Sequence, residues 1–94
     1  MRIIYTEGAI ADLENIFKYQ SEHWPMVRAA FEARLSAIER HIVQIPNAAP
    51  EVATRPGVRV VPFLVYPYRL FYQSSVNGLE ILFIHHTSRL PWYG

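Results

Sequence analysis

Apolar residues recur at helical intervals along the first half of the chain and in short dense runs along the second. Arg2 to Tyr5 is a β-branched, apolar run that predicts a strand. Thr6 is placed to cap a following helix, with Glu7 near the positive end of its dipole. Ala9, Ile10, Leu13, Ile16, Phe17 and Gln20 then follow helical spacing, while Asp12 and Glu14 fall on the other side. The helix is expected to end near His23, because Pro25 disfavours a helical residue before it.

Pro25 suits the first turn of a second helix, where its missing N–H costs nothing. Val27, Phe31, Leu35, Ile38, Ile42 and Ile45 form one long apolar stripe, with Arg28, Glu32, Glu39 and Arg40 outside it, and Pro46 stops it. Two helices joined so tightly must be antiparallel neighbours, so residues 7–45 predict a helical hairpin. Residues 46–57, PNAAPEVATRPG, read as a loop. VRVVPFLV reads as a strand that Pro62 marks as an edge or a bulge. RLFYQSSV and LEILFIHH flank Asn77-Gly78, the signature of a two-residue type I′ hairpin. The expected order is β-α-α-β-β-β, an α+β architecture with a helical hairpin packed on a small, largely antiparallel sheet.

At 94 residues, with 51% hydrophobic and 14% aromatic content, the chain is expected to form a single domain over 1–94 with a modest core. It has no cysteine, which excludes disulfides and zinc–thiolate sites and makes a reducing cytoplasm the expected location. No segment reaches the roughly 18–20 apolar residues of a membrane span, and the acidic start of MRIIYTEGAIADLE does not fit a signal peptide. Charge is unevenly placed. Residues 51–94 carry Arg55, Arg59, Arg69 and Arg89 against Glu51 and Glu80, and the only lysine is Lys18. Arginine's planar fork suits phosphate or carboxylate, so the second half is where an anionic partner is expected.

HHTSRLPW, residues 85–92, concentrates candidate chemistry. Strand alternation sends His85 and His86 to opposite faces, so they do not readily share a metal, and no carboxylate lies at ligand spacing from any histidine pair. No metal and no cofactor is expected. Ser88 lacks a glycine-rich elbow, and the four scattered glycines make no phosphate loop. Arg59, Arg69 and Arg89 lie on or just after successive strands and could converge on one end or face of the sheet. With Tyr66, Tyr68, Trp92 and Tyr93 they would make an arginine–aromatic surface of the kind used at nucleic-acid and protein contacts, or an ordinary solvated sheet face. Phe17, Trp24, Phe31 and the helical isoleucines are read as core. Grooves beside such a hairpin would suit an amphipathic partner segment.

RIIYTEGAIADLENIFKY, RPGVRVV, YPYRLFYQ and ILFIHHTSRLPW, in that order and spacing, resemble the ParE/RelE superfamily of toxins from bacterial type II toxin–antitoxin systems. The resemblance covers essentially the whole chain and is closer to ParE. It implies the same β-α-α-β-β-β fold and one of two activities. ParE-type members poison DNA gyrase by binding; RelE-type members are endonucleases that cleave messenger RNA on the ribosome. Arg69 and Arg89 match two arginines of the RelE active site, and Arg59 stands where RelE has a catalytic lysine. Val61 occupies the second lysine position, and the RelE C-terminal tyrosine has no clear counterpart, although Tyr93 is near.

A nuclease needs dense positive charge around the phosphate and a proton carrier, for which His85 or His86 is available. The resemblance therefore implies a ParE-like gyrase inhibitor rather than an enzyme, a plasmid-stabilization type of toxin neutralised by a ParD-like antitoxin. The alternative is a RelE-like ribosome-dependent endoribonuclease using Arg59, Arg69, Arg89 and His86. Target contact is expected at Arg59, Arg69, Arg89, Trp92 and Tyr68, and antitoxin contact at Phe17, Trp24, Phe31 and Arg59. The antitoxin's acidic residues would pair with the arginines, and the toxin alone would dissolve poorly with its apolar groove uncovered.

Overall fold

The computed structural model describes residues 1–87. The expectations placed on Ser88, Arg89, Trp92 and Tyr93 lie outside those residues. Strand β1 (Ile3–Tyr5) leads into helix α1 (Glu7–His23), a 3₁₀ turn (Pro25–Val27) and helix α2 (Arg28–Gln44). Strands β2 (Glu51–Val52), β3 (Arg55–Pro62), β4 (Tyr68–Ser75) and β5 (Gly78–His86) follow. They make one sheet in the order β1-β5-β4-β3-β2, antiparallel except for the parallel pairing of β1 with β5. Both helices pack on one face, which is the expected α+β arrangement with one further short strand.

Thr6 joins the first strand to the first helix. Its Oγ1 accepts the Ala9 N–H at 3.2 Å, satisfying one of the free donors of the helix start. The same hydroxyl lies 3.0 Å from the carbonyls of both Ile81 and Leu82, so it also ties α1 to β5. Leu82 is the extra residue of a β-bulge, since Phe71 faces Phe83 while Tyr72 faces Ile81. One α2 face buries Phe31, Leu35, Ile38 and Ile42 against Leu70, Tyr72, Ile81 and Ile84 of the sheet. The opposite sheet face carries a second apolar cluster around Val58 and Phe71.

Several details depart from the sequence reading, each for a local reason. Pro25 starts a 3₁₀ turn, and the α-helical part begins only at Arg28. Ile45 leaves the helix with φ −134° and ψ 73°, so it falls off the stripe and is exposed. Ile10 is also exposed, at the edge of the α1 stripe. Residues 46–57 are not all loop, because Glu51 and Val52 pair with β3 and that strand starts at Arg55. Pro62 ends β3. Val60 sends its N–H outward to the Pro50 carbonyl at 3.1 Å, and two residues on the proline nitrogen faces the same edge, where β2 no longer offers a partner.

The β4–β5 hairpin is present with a different turn. Ser75 pairs with Gly78, which leaves Val76 and Asn77 as the two loop residues. Neither has a positive φ, so the turn is not type I′. Ser75 Oγ accepts the Asn77 N–H at 3.1 Å and lies 3.3 Å from the Gly78 carbonyl, closing the turn through a side chain.

Tyr5 on β1 donates its hydroxyl to Glu39 Oε2 on α2. Burial, then the hydrogen bond and charge of Glu39, push the phenol well above its ordinary range. The native state therefore holds the proton more tightly than the unfolded chain. Its contribution to stability is complete below pH about 10 and is lost as pH rises above that value. Tyr5→Phe is expected to cost about 1–2 kcal/mol at neutral pH, discounted for the partial exposure of the pair, and to flatten the alkaline limb of a stability–pH curve. Urea unfolding at pH 7 and pH 10.5 checks both effects.

Candidate partner-binding groove

The sheet register separates the arginines that sequence places together. Arg59 pairs with Tyr72, whose neighbours are the helix-facing core. Arg69 pairs with Pro62 on one side and His85 on the other, on the face carrying Phe71. The two guanidinium groups thus leave opposite faces of the sheet. Arg59 is also engaged within the chain. Its Nη1 donates to the Ala49 carbonyl at 2.6 Å, and Nη2 lies 3.4 Å from Glu51 Oε1. Beside it, the Tyr72 hydroxyl donates to the Pro46 carbonyl at 2.7 Å, with burial raising its pKa against the opposing charge of Arg59. These two side chains fasten the segment after α2 to the sheet.

His85 and His86 do point to opposite faces. His85 sits against Phe71 and Phe83, with ring centroids 5.5 and 5.2 Å away, and His86 meets Tyr68 edge-on at 5.3 Å. Among the described residues no three histidine, aspartate or glutamate side chains gather as a metal site.

Of the residues expected to contact an antitoxin, Phe31 is 0% exposed and offers a partner nothing to touch. It is core, as its place on the stripe predicts, and that burial corrects the expectation of an antitoxin contact there. Trp24, read as core, is 57% exposed, because it sits in the link between the helices after the α1 stripe has ended. Phe17 is covered by the Arg28 guanidinium, 3.7 Å above its ring, and borders a groove of about 450 Å³ between the helices. Phe17, Trp24, Phe31 and Arg59 therefore do not form one surface.

What the fold does assemble is a groove of about 700 Å³ between α1 and the far end of the sheet. One wall is α1, from Asp12 through Ile16 and Tyr19 to Gln20, and Trp24 and Val27 close its end. The other wall is Val65 and Tyr66 from the β3–β4 connection and Tyr68 at the start of β4, with Ile84 and His86 of β5 beneath. Four residues singled out from sequence, Trp24, Tyr66, Tyr68 and His86, meet here. Asp12 Oδ2 accepts the Ile84 N–H at 2.9 Å, where β5 has run past the end of β1 and would otherwise leave that donor unpaired.

The opposite wall is held from both ends. Arg34 Nε donates to the Phe63 carbonyl at 3.1 Å, Phe63 N–H to Tyr68 O at 2.9 Å, and Thr87 N–H to Pro67 O at 2.7 Å. Between these anchors Leu64 adopts φ +68°, a left-handed conformation that costs a non-glycine residue on the order of 1–2 kcal/mol. Leu64 and Val65, the latter 81% exposed, then stand in solvent, with Val65 on the groove wall. Strained backbone presenting apolar side chains to water is the usual mark of a contact surface.

Sequence reasoning missed Gln20 and Asp12. Gln20 follows Ile16 by one turn on the apolar stripe, and that polar residue in an apolar position was the available signal. It is 2% exposed, and its Oε1 is buried with no hydrogen-bond partner.

No helix among the described residues is long and apolar enough to cross a membrane. No curated protein sequence matches the chain. Its fold is similar to a solved chain of the chromosomal ParDE TA system from P. aeruginosa, with TM-score 0.76 and 21% identity over 94% of this chain and 97% of that one. Residues 3–91 match the model of the ParE toxin of type II toxin-antitoxin system, parDE, which spans every element described above, and the chain belongs to the ParE toxin family.

Proposed function

We propose that this protein is the toxin of a toxin–antitoxin pair, that it inhibits DNA gyrase by binding rather than by turnover, and that a ParD-like antitoxin neutralises it. The observation that carries the binding reading is the separation of Arg59 from Arg69. A phosphate-cleaving site needs its cations converging on one phosphate, whereas here one guanidinium is spent on Ala49 and Glu51 and the other leaves the opposite sheet face. The antitoxin is assigned to the groove beside α1, whose exposed apolar rim at Trp24 and Val65 supports a covered state.

Gyrase supercoiling and cleavage assays run beside in vitro translation test the target. The expected result is lost supercoiling with trapped gyrase–DNA cleavage complexes and unimpaired translation. Intact supercoiling with blocked translation and cut message would replace this reading with the RelE-like endoribonuclease.

A further inference from the structure

The groove beside α1 combines three properties that together select a ligand. Its walls are aromatic, with Tyr19 and Trp24 in edge contact at 5.7 Å on one side and Tyr66 and Tyr68 on the other. Among the described residues its lining includes one carboxylate, Asp12, and no lysine or arginine. Asp12 uses Oδ2 on the Ile84 N–H, and its second oxygen makes no bond among the described residues. Finally, Gln20 holds a side-chain oxygen with no donor, just beneath the groove surface. The terminal torsion of a glutamine is soft, so the amide can adjust to a donor that enters from the groove. A buried acceptor without a donor is a standing penalty that an incoming donor removes.

We infer that this groove receives an arginine side chain of the partner protein, with the guanidinium between the aromatic walls and donating to Gln20 Oε1. A guanidinium supplies what the described lining does not: positive charge beside Asp12, a planar face for tyrosine and tryptophan, and several N–H donors in a fixed fork. A lysine ammonium would give the charge without the stacking plane, and an acidic side chain would meet Asp12 with like charge. Recognition of the antitoxin would then use both signs. Acidic residues would meet the toxin's arginines, and one arginine would enter this groove. The inference rests on the antitoxin reading for the identity of the occupant alone.

The probe is N-acetyl-arginine methylamide, titrated into the chain carrying Trp92→Phe so that Trp24 is the single tryptophan reporter. Saturable quenching of Trp24 is expected with a dissociation constant on the order of millimolar, as suits one side chain. The uncharged citrulline analogue should bind at least about tenfold more weakly, and Gln20→Met should weaken the arginine probe by a similar factor. Because Gln20→Met removes an unpartnered buried acceptor, it should also raise the midpoint of thermal unfolding of the free chain, by about 4–8 °C. A residue with a merely structural hydrogen bond would lower it.

Equal quenching by the two analogues, no quenching by either, or a lower melting point for Gln20→Met would overturn the inference. So would a homodimer that the arginine analogue dissociates, since the occupant would then be a second copy. Neither antitoxin nor gyrase enters these measurements. A failure here leaves the toxin reading standing, and a failed gyrase assay leaves the groove chemistry intact.

Discussion

Phe31→Ala is expected to lower the unfolding free energy by about 3–5 kcal/mol, a large share of the roughly 5–15 kcal/mol that holds a domain of this size. The ring is fully buried and stands at the centre of an aromatic cluster. Phe63 stacks on it at 5.0 Å with planes 4° apart, and Phe17, Tyr66 and Tyr68 meet it edge-on at 6.1, 5.4 and 5.7 Å. Truncation removes the transfer energy of the ring, leaves a cavity, and forfeits several aromatic pairs worth about 0.5–1.5 kcal/mol each. The damage would also reach the groove, because Tyr66 and Tyr68 form its wall and rest on this ring. Phe31→Leu keeps most of the volume and should cost less than half as much. Urea denaturation of both variants decides the matter: a loss below about 1 kcal/mol for alanine would show that the ring is not packed as described.

Gly78→Ala is expected to cost about 2–4 kcal/mol through two separate effects. The backbone φ of +139° disfavours any side chain, and an added Cβ would lie 2.3 Å from the Arg2 carbonyl oxygen. That carbonyl accepts the Leu79 N–H at 2.9 Å, the first bond of the β1–β5 pair, so relieving the clash means peeling β1 away. Gly57→Ala separates the effects. Its φ is +86° but nothing lies within 4 Å of the new Cβ, so it should show the conformational penalty alone, about 1 kcal/mol. Equal losses at the two glycines would mean that close approach to β1 is not what requires Gly78. Faster amide exchange at Ile3–Tyr5 in Gly78→Ala would locate the damage.

These two residues also show how far the sequence could be read. Phe31 lies in an unbroken period-matched stripe, and periodicity recovered it together with both helices and the three long strands. Gly78 was legible as a hairpin signal but for a different reason. Asn-Gly suggested the turn, whereas the glycine is needed where a strand from the far end of the chain approaches, and no local pattern encodes that. The two-residue strand at Glu51 and Val52 escaped detection similarly, being held by pairing across Arg59 and Arg55 rather than by its own composition. The candidate site was less legible. Alternation along one strand separates the two histidines, whereas Arg59 and Arg69 lie on different strands and only the register with Tyr72 and with His85 places them apart. Trp24 was misplaced because its burial depends on a link between helices, not on a stripe.

The parallel pair of β1 and β5 has a consequence for synthesis. Ile3 finds its partner only at Leu79, 76 residues later. Closing so long a loop is slow, since its entropy must be lost before the pairing rewards it. Until β5 is added, the helical hairpin can lie only on the β2–β4 part of the sheet, which lacks Ile81 and Ile84. Its apolar stripe, Phe31 to Ile42, is then only partly covered, by Leu70 and Tyr72 of β4. The nascent chain is thus most adhesive just before β5 emerges, and a partner already present in the cell could engage it earlier than the finished fold suggests.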